Sequence, residues 1–385
     1  MRKLIRKTVT WMLGLVLTAA AVCAPGHAGQ GKVDRASTGQ ANTDRVDAVA
    51  VERTIHAAVA FLRAQQRPEE GSFSATSGPG ITALVATALL QNGLAPADPL
   101  LARSLHYLEG FVRPDGGIYR EGSLYRNYET SLAIVCFSLA NRDGRYDRLL
   151  EKADHFVRGL QWSEEDGHEP SSPTYGGAGY GKHKRPDLSN TSFLIEALRA
   201  AGAGPNDPAM RKALVFVSRC QNLESPYNTT PFSTRNPDGG FYYTPADGGA
   251  SEAGKTPGGG LRSYGSMTYA GLKSMIYAGV GPDDPRVKAA VKWIQSHYAV
   301  QENPGMGNAG LYYYYHTFAK ALAAMKQTRV VDQQGHAHNW RHELATELAR
   351  RQRPNGSWAN TNGRWLESDP NLVTAYALLA LSYCH

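Results

Sequence analysis

The chain has 385 residues, 42% of them hydrophobic, with 41 basic and 34 acidic side chains and a formal net charge of +7. Four basic residues lie in the first seven positions, and 7 minus 4 leaves +3 for the rest, so the charge indicates no nucleic-acid partner. Three of the four cysteines lie later, in or beside apolar runs, and this odd number predicts buried thiols rather than a disulfide framework.

The N-terminal segment has the pattern of an export signal. Its basic start is followed by an apolar run over 9–22 and by small residues that end at Ala28. The apolar run is short for a membrane span, and no later stretch reaches that length. We expect a signal peptide over 1–28, a disordered tether over 29–50 and an exported protein, periplasmic or secreted. Lipid anchoring through Cys23 is a minor alternative.

Six threonines each open an apolar run of helical periodicity: Thr82, Thr130, Thr191, Thr268, Thr317 and Thr374. Their separations of 48, 61, 77, 49 and 57 residues each fit a helix pair plus a variable loop. The chain is therefore predicted to form one domain of six helical-hairpin repeats over 51–385.

The first helix of each pair is amphipathic, and three of them begin with an Asp-Pro start in which the aspartate caps free N–H groups. These first helices are predicted over 51–66, 98–112, 146–162, 207–221, 284–298 and 339–352. The second helices, apolar nearly all round, are predicted over 81–90, 130–140, 191–201, 268–278, 317–325 and 372–381. This contrast predicts an all-α fold, an α/α toroid with an inner and an outer ring of six helices.

The connections between the two helices of a pair differ in length. Tight Pro-Asp-Gly or Pro-Asn-Gly turns are predicted at 114–118, 237–241 and 354–358. The segments 163–189 and 222–267 are much longer and rich in glycine and tyrosine. Loops of this length in a compact domain are more often functional than idle.

One turn carries a resemblance to a known family. The segment Gln352-Arg353-Pro354-Asn355-Gly356-Ser357-Trp358 resembles the glutamine-tryptophan turn of squalene-hopene-type cyclases, and 356–381 resembles their C-terminal repeat. The repeat pattern is similar to the α/α toroids of terpenoid cyclases and protein prenyltransferases. This resemblance implies a central cavity that holds an apolar or amphiphilic, terpenoid-like ligand.

The catalytic positions depart from both families. The segment 187–191 stands in place of the cyclase Asp-x-Asp-Asp-Thr motif, and Ser189 occupies the position of the proton-donating aspartate. A serine hydroxyl does not protonate an alkene. The Asp-x-Cys zinc ligands of prenyltransferases align with Tyr264 and Ser266. We expect neither standard chemistry, and no cofactor or metal at this position; whether the protein is an enzyme stays open.

The candidate site lies where the inner helices begin, because helices that point the same way bring their free N–H groups to one mouth. Glu129 and His316 are a candidate acid and base, with Tyr264 as a third catalytic group. The candidate ligand-binding residues are Tyr128, Asp187, Ser189, Asn190, Arg262, Ser266, Tyr315, Asp369 and Asn371. The alternative is that these residues are helix caps and hydrogen-bonded liners.

Tyrosines are a second feature of the predicted mouth. Four consecutive ones occupy 312–315, and others lie in the long loops at Tyr175, Tyr180, Tyr242 and Tyr243. Such a set suits an aromatic wall around a terpenoid, a sugar ring or a cation.

Other interpretations stay open at this point. One is a secreted polysaccharide lyase or hydrolase on an α/α toroid that binds a glycan, and another is a non-catalytic scaffold. His336, His338 and His342 are close enough in sequence to bind a divalent metal, or they are solvated. The oligomeric state is not readable from the sequence.

Overall fold

The computed structural model describes residues 46–384. The predicted signal peptide, Cys23 and most of the predicted tether lie outside the described residues. The first helix already begins at Ala48, three residues before the predicted start. A search of the described helices finds none with the length and apolar character that crossing a membrane requires.

Among the described residues, 46–384, twelve helices of 11 to 18 residues alternate between an outer and an inner position. The outer helices are α1 (Ala48–Gln65), α3 (Pro99–Glu109), α5 (Asp147–Arg158), α7 (Pro208–Arg219), α10 (Pro285–Ser296) and α12 (Trp340–Arg351). The inner helices are α2 (Gly80–Gln91), α4 (Arg126–Ala140), α6 (Leu188–Ala200), α9 (Gly265–Tyr277), α11 (Leu311–Ala324) and α13 (Pro370–Leu381). The long loop before α9 contains the single-turn helix α8 (Phe232–Arg235), and an antiparallel pair, β1 (Val330–Val331) and β2 (Ala337–His338), precedes α12.

The inner helices form a closed ring. Each packs on the next in chain order, from α2 through α4, α6, α9 and α11 to α13, and α13 packs back on α2. The outer helices pack on this ring; α7, for example, lies against both α6 and α9. The predicted α/α toroid is confirmed, and so are the aspartate caps of Asp98, Asp207 and Asp284 at the starts of outer helices.

The repeated threonine locks each turn to its inner helix. Its hydroxyl oxygen accepts a hydrogen bond from the backbone N–H of the residue that plugs the turn, at 2.9 to 3.2 Å. The pairs are Thr82 with Phe73, Thr130 with Ile118, Thr191 with Ala178, Thr268 with Phe241, and Thr374 with Trp358. Thr317 instead donates to carbonyls of its own helix. The threonine therefore recurs at this position of the repeat for a structural reason.

A glutamine at the end of four outer helices, buried in three of them and half-buried in the last, ties neighbouring repeats together. Its amide donates to the carbonyl of the turn glycine and to a carbonyl of an adjacent outer helix. Gln66, Gln161 and Gln221 reach forward to Leu100, Ala209 and Arg286. Gln352, in the turn that resembles the cyclase motif, reaches Thr54 of α1 at 2.9 Å and so joins the last repeat to the first.

The inner helices begin earlier than the threonines indicate. The largest difference is at α11, which starts at Leu311 and not at Thr317. Glu367 explains the early start, because its carboxylate accepts the backbone N–H groups of Tyr312 and Tyr313 at 3.0 and 2.8 Å and caps the helix from outside. The four tyrosines and His316 therefore lie within the helix and point in different directions around it.

Candidate functional site

A cavity of about 430 Å³ lies at the N-terminal ends of the inner helices. All six contribute residues from their first two turns: Gly80, Ile81, Tyr128, Glu129, Ser189, Phe193, Ser266, Met267, Tyr313, Leu372 and Tyr376. The loops add Thr76, Ser77, Arg120, Tyr125, Tyr180, Tyr243, Glu252, Tyr264, Gly310, Trp365, Leu366 and Glu367. The inner helices thus point the same way and share one mouth, and we call this space the tyrosine cavity.

Aromatic contacts hold the walls of the tyrosine cavity in place. The hydroxyls of Tyr128 and Tyr376 are 3.5 Å apart, and the Ser189 hydroxyl lies 3.0 Å from that of Tyr313. The ring of Phe193 meets the edge of Tyr128 at 5.1 Å between centroids. Burial raises the pKa of Tyr128 to about 12, so its phenol stays neutral. The wall therefore offers π faces and neutral hydroxyls.

Glu129 is a lining carboxyl whose hydrogen bonds come from neutral donors. It is 2% exposed, and its Oε2 accepts the backbone N–H of Arg120 at 3.2 Å. Burial raises the pKa of Glu129, and hydrogen bonds from Ser123 and from the Arg120 N–H oppose this rise only in part. A larger share of this carboxyl is therefore protonated near neutral pH than of an exposed glutamate.

The two other lining carboxylates have evident structural partners. Glu252 forms an ion pair with Arg364. Glu367 accepts hydrogen bonds from the Asn360 amide and from the start of α11. Glu129 is thus the carboxyl best placed to exchange a proton with a bound ligand.

Five of the twelve predicted site residues line the tyrosine cavity: Tyr128, Glu129, Ser189, Tyr264 and Ser266. They come from three different repeats in sequence but meet around one space. Tyr264 is the residue before α9, it is 2% exposed, and burial raises its pKa well above the usual value.

His316 lies outside the lining. Its ring is buried behind Tyr376, with 5.7 Å between the two centroids. Burial lowers the pKa of His316 well below its usual value, and the nearby Lys320 lowers it further. The predicted placement of Glu129 and His316 across one mouth is therefore corrected. The early start of α11 puts His316 in the second turn, one turn deeper than the lining Tyr313 and behind Tyr376.

The other predicted residues are in structural positions. Asp187 caps α6, accepting the Asn190 backbone and side-chain amides at 2.8 Å, and burial raises the pKa of Asp187 to about 6. The Asp369 carboxylate accepts the Asn371 N–H, and the Asn371 side-chain amide donates to the Ser74 hydroxyl. The Tyr315 hydroxyl donates to the Val300 carbonyl, and the exposed Arg262 donates to the Lys255 carbonyl.

The two histidines before α12, His336 and His338, are held by carboxylates. Asp332 Oδ2 lies 3.2 Å from His336 Nδ1 and 3.1 Å from His338 Nε2, and His338 Nδ1 lies 3.0 Å from Glu343. Within residues 46–384, no group of three or more His, Cys, Asp or Glu side chains has the arrangement of a metal site.

Sequence reasoning missed the loop that covers part of the mouth. Trp365 and Leu366 line the tyrosine cavity with 44% and 55% of their surface exposed, and both have left-handed backbone angles, with φ of 55° and 63°. The adjacent Arg364 pairs with Glu252 from the long loop before α9. No local sequence pattern marks these residues, because nothing in 359–369 resembles a glycine-rich turn at the strained positions.

Comparison with known proteins gives a likeness in fold. Neither a protein-family model nor a curated protein matches this sequence. A solved structure of the type II terpene cyclase MstE from Scytonema, in complex with merosterolic acid A, matches with a TM-score of 0.51 at 15% identity, covering 89% of this chain and 98% of that one. A protein from Actinoplanes matches with a TM-score of 0.50 at 16% identity, covering 87% and 99%.

These likenesses extend over nearly the whole of each matched protein. The helix contacts of this chain show the closed ring of six inner helices without reference to them. The chain therefore has the α/α-toroid fold of the type II terpene cyclases.

Proposed function

We propose that the protein uses the tyrosine cavity to bind an apolar or amphiphilic, terpenoid-like ligand. The observation that carries this proposal is a mouth of about 430 Å³ lined largely by aromatic and aliphatic side chains, the size and character of a small-molecule site. An open polar groove would favour a glycan, and a filled centre would favour a scaffold. MstE, of similar fold, has been solved with geranylgeranyl dihydroxybenzoate, which supports a ligand of this class.

The lining suggests how such a ligand lies. Phe193, Met267 and Leu372 offer apolar surface for a hydrocarbon chain. Glu129 and the backbone around Arg120 offer hydrogen bonds to a polar end. Each buried CH₂ of the chain contributes about 0.8 kcal/mol, so a chain of several isoprene units accounts for most of the affinity.

Any chemistry on the ligand would centre on Glu129. In this proposal its protonated carboxyl donates a proton to an oxygen of the ligand, and the carboxylate left behind keeps its hydrogen bonds from the Arg120 N–H and Ser123. Tyr264 acts as a neutral hydrogen-bond donor, and His316 takes no part. The aromatic walls stabilise positive charge that develops on the ligand.

Binding is tested with geranylgeraniol as the probe, by tryptophan fluorescence and native mass spectrometry. We expect one bound molecule, and we expect Ser266→Phe, which fills the mouth, to weaken binding at least tenfold. Ser296→Phe is the matched control, because Ser296 lies on outer helix α10. Equal affinity in both variants, each with an unchanged circular dichroism spectrum, would remove the tyrosine cavity as the site.

We also propose that residues 1–28 are an export signal and that 51–385 are one domain. N-terminal sequencing of the protein recovered from the periplasm or medium tests this. A mature chain that begins near residue 29 is expected, and an uncleaved chain confined to the cytoplasm would contradict it.

A further inference from the structure

A second cavity of about 510 Å³ lies at the C-terminal ends of α6, α9 and α11. Arg199, Tyr277 and Lys320 line it, and Tyr383 lines it from the segment after α13. Ser189 of the tyrosine cavity and Arg199 are ten positions apart on α6, which is about 15 Å along the helix axis. The second cavity is therefore separate from the tyrosine cavity.

Two buried lysines share one carboxylate beside the second cavity. Glu196 pairs through one oxygen with Lys273 and through the other with Lys320, and we call these three residues the charge triad. All three are buried, and Lys273 is 1% exposed. Burial opposes the charge on Glu196, but the two ammonium groups outweigh it and lower the pKa of this carboxyl.

The lysines respond differently to burial. For Lys320 burial is outweighed by Glu196, so the pKa of this ammonium is raised. For Lys273 burial prevails over Glu196 and lowers the pKa. His316, also beside the charge triad, brings no positive charge, because burial lowers the pKa of its imidazole and keeps the ring neutral. With both lysines protonated, the charge triad carries one excess positive charge.

Arg199 adds a second excess charge at the cavity wall. Its guanidinium carbon lies 4.0 Å from the centroid of the Tyr277 ring. Stacking of this kind uses the face of the guanidinium and leaves its in-plane N–H groups free to bind an oxyanion. Arg341 adds further positive charge nearby, where it donates to the Tyr383 carbonyl at 3.0 Å.

We infer that the second cavity binds a small dianion, inorganic phosphate or a phosphate monoester, between Lys320 and Arg199. A phosphate monoester carries about −1.5 to −2 at pH 7, and its charge is opposite in sign to the Lys320 ammonium and the Arg199 guanidinium that line the cavity. Tyr277 and Tyr383 provide the walls against which the rest of a monoester lies. The inference rests on different residues from those of the proposed terpenoid-like ligand.

Cations at this end of the helices also have an explanation that needs no ligand. Lysine and arginine near helix C-termini offset the helix dipole by about 0.3–1 kcal/mol each, and exposed side chains are sufficient for that. Lys320 is buried, and it is the second lysine on a single carboxylate, an arrangement that the helix dipole does not require. A bound anion balances the positive charge that one carboxylate shared by two lysines leaves over.

Calorimetric titration of the full chain with inorganic phosphate, in a chloride buffer of low ionic strength, tests the inference. We expect one site, weakened at least tenfold by Lys320→Met and by Arg199→Gln. Lys320→Met leaves Glu196 and Lys273 as a one-to-one pair, so the fold is expected to survive. Lys288→Met, on exposed α10, is the matched control and should bind as wild type does.

A second measurement protects the test against misfolding. Phosphate should raise the thermal midpoint of wild type and of Lys288→Met, but not that of Arg199→Gln, whose exposed side chain is not needed for folding. Absence of heat and of any midpoint rise in wild type would show that the cations serve the helix ends alone and would overturn the inference. Unchanged phosphate affinity in both cavity variants would do so as well. Geranylgeraniol binding is not expected to change in either, which separates this test from that of the tyrosine cavity.

Discussion

At the residue scale, the protein places the buried carboxyl of Glu129 in an aromatic space. Glu129 is 2% exposed and lines the mouth together with Tyr128 and Tyr180, and its hydrogen bonds come from neutral donors. Ser189, at the position of the cyclase aspartate, donates or accepts a hydrogen bond with Tyr313 instead. In the proposed function, the acid of this cavity therefore belongs to the second repeat and not to the third.

The raised pKa of Glu129 predicts a pH-dependent stability. Because its folded pKa lies above the unfolded value of about 4.5, the unfolded chain loses this proton first as the pH rises. Ionisation of Glu129 in the folded protein then lowers the free energy of unfolding, and this loss reaches its full size above the folded pKa. Glu129→Gln removes it, so the variant should gain stability relative to wild type between pH 4 and 8. Urea unfolding at each pH measures this.

Asp115→Asn is a control for that series, because its carboxylate lies in an exposed turn. A difference between Glu129→Gln and wild type that is flat across the range, or that falls with rising pH, would contradict the burial of an ionisable Glu129.

At the element scale, the turns between paired helices are tightly constrained by glycines. Gly356 has φ of +85°, and a Cβ there would lie 2.2 Å from the Ala57 carbonyl oxygen of α1. Gly116 and Gly239 repeat the arrangement against Lys152 and Ala289. The close approach of turn and outer helix is what lets the glutamine amides span both.

Gly356→Ala is expected to destabilise the protein by more than 3 kcal/mol. A left-handed alanine costs about 1–2 kcal/mol, and the clash with the Ala57 carbonyl adds to it because backbone has to move. Gly335→Ala is the matched control, with the same φ of +85° and no atom within 4 Å of its Cβ. Chemical denaturation measures both variants; equal losses would show that α1 does not pack against this turn.

At the scale of the whole molecule, the ring closes by contacts between the chain's first and last repeats. α13 packs on both α1 and α2. Gln352 donates to the Thr54 carbonyl, and the Asn92 amide donates to the Leu378 carbonyl at 3.0 Å. Closure fixes the relative positions of the six helix starts, and these define the tyrosine cavity.

Gln352→Ala is expected to lower the free energy of unfolding by about 1–3 kcal/mol, because it leaves the Thr54 and Gly356 carbonyls without their side-chain donor. The exposed Gln65→Ala at the end of α1 should cost less than 0.5 kcal/mol. Urea denaturation followed by circular dichroism gives both values. Similar losses in the two variants would show that this bridge does not contribute to closure.

The sequence alone determined the toroid and the end of the ring at which the mouth lies. Threonine spacing, Asp-Pro caps and apolar periodicity are patterns of a few residues, so they can be recognised without knowing how distant parts of the chain pack. It also identified Tyr128, Glu129, Ser189, Tyr264 and Ser266, since each lies within four residues of a repeated threonine. Tertiary structure decided the rest. Glu367 caps an earlier start of α11 and so places His316 a turn deeper, behind Tyr376, and the Arg364–Glu252 pair fixes a loop over the mouth. The charge triad joins residues up to 124 positions apart. Such contacts depend on how distant elements pack, and no local pattern encodes them.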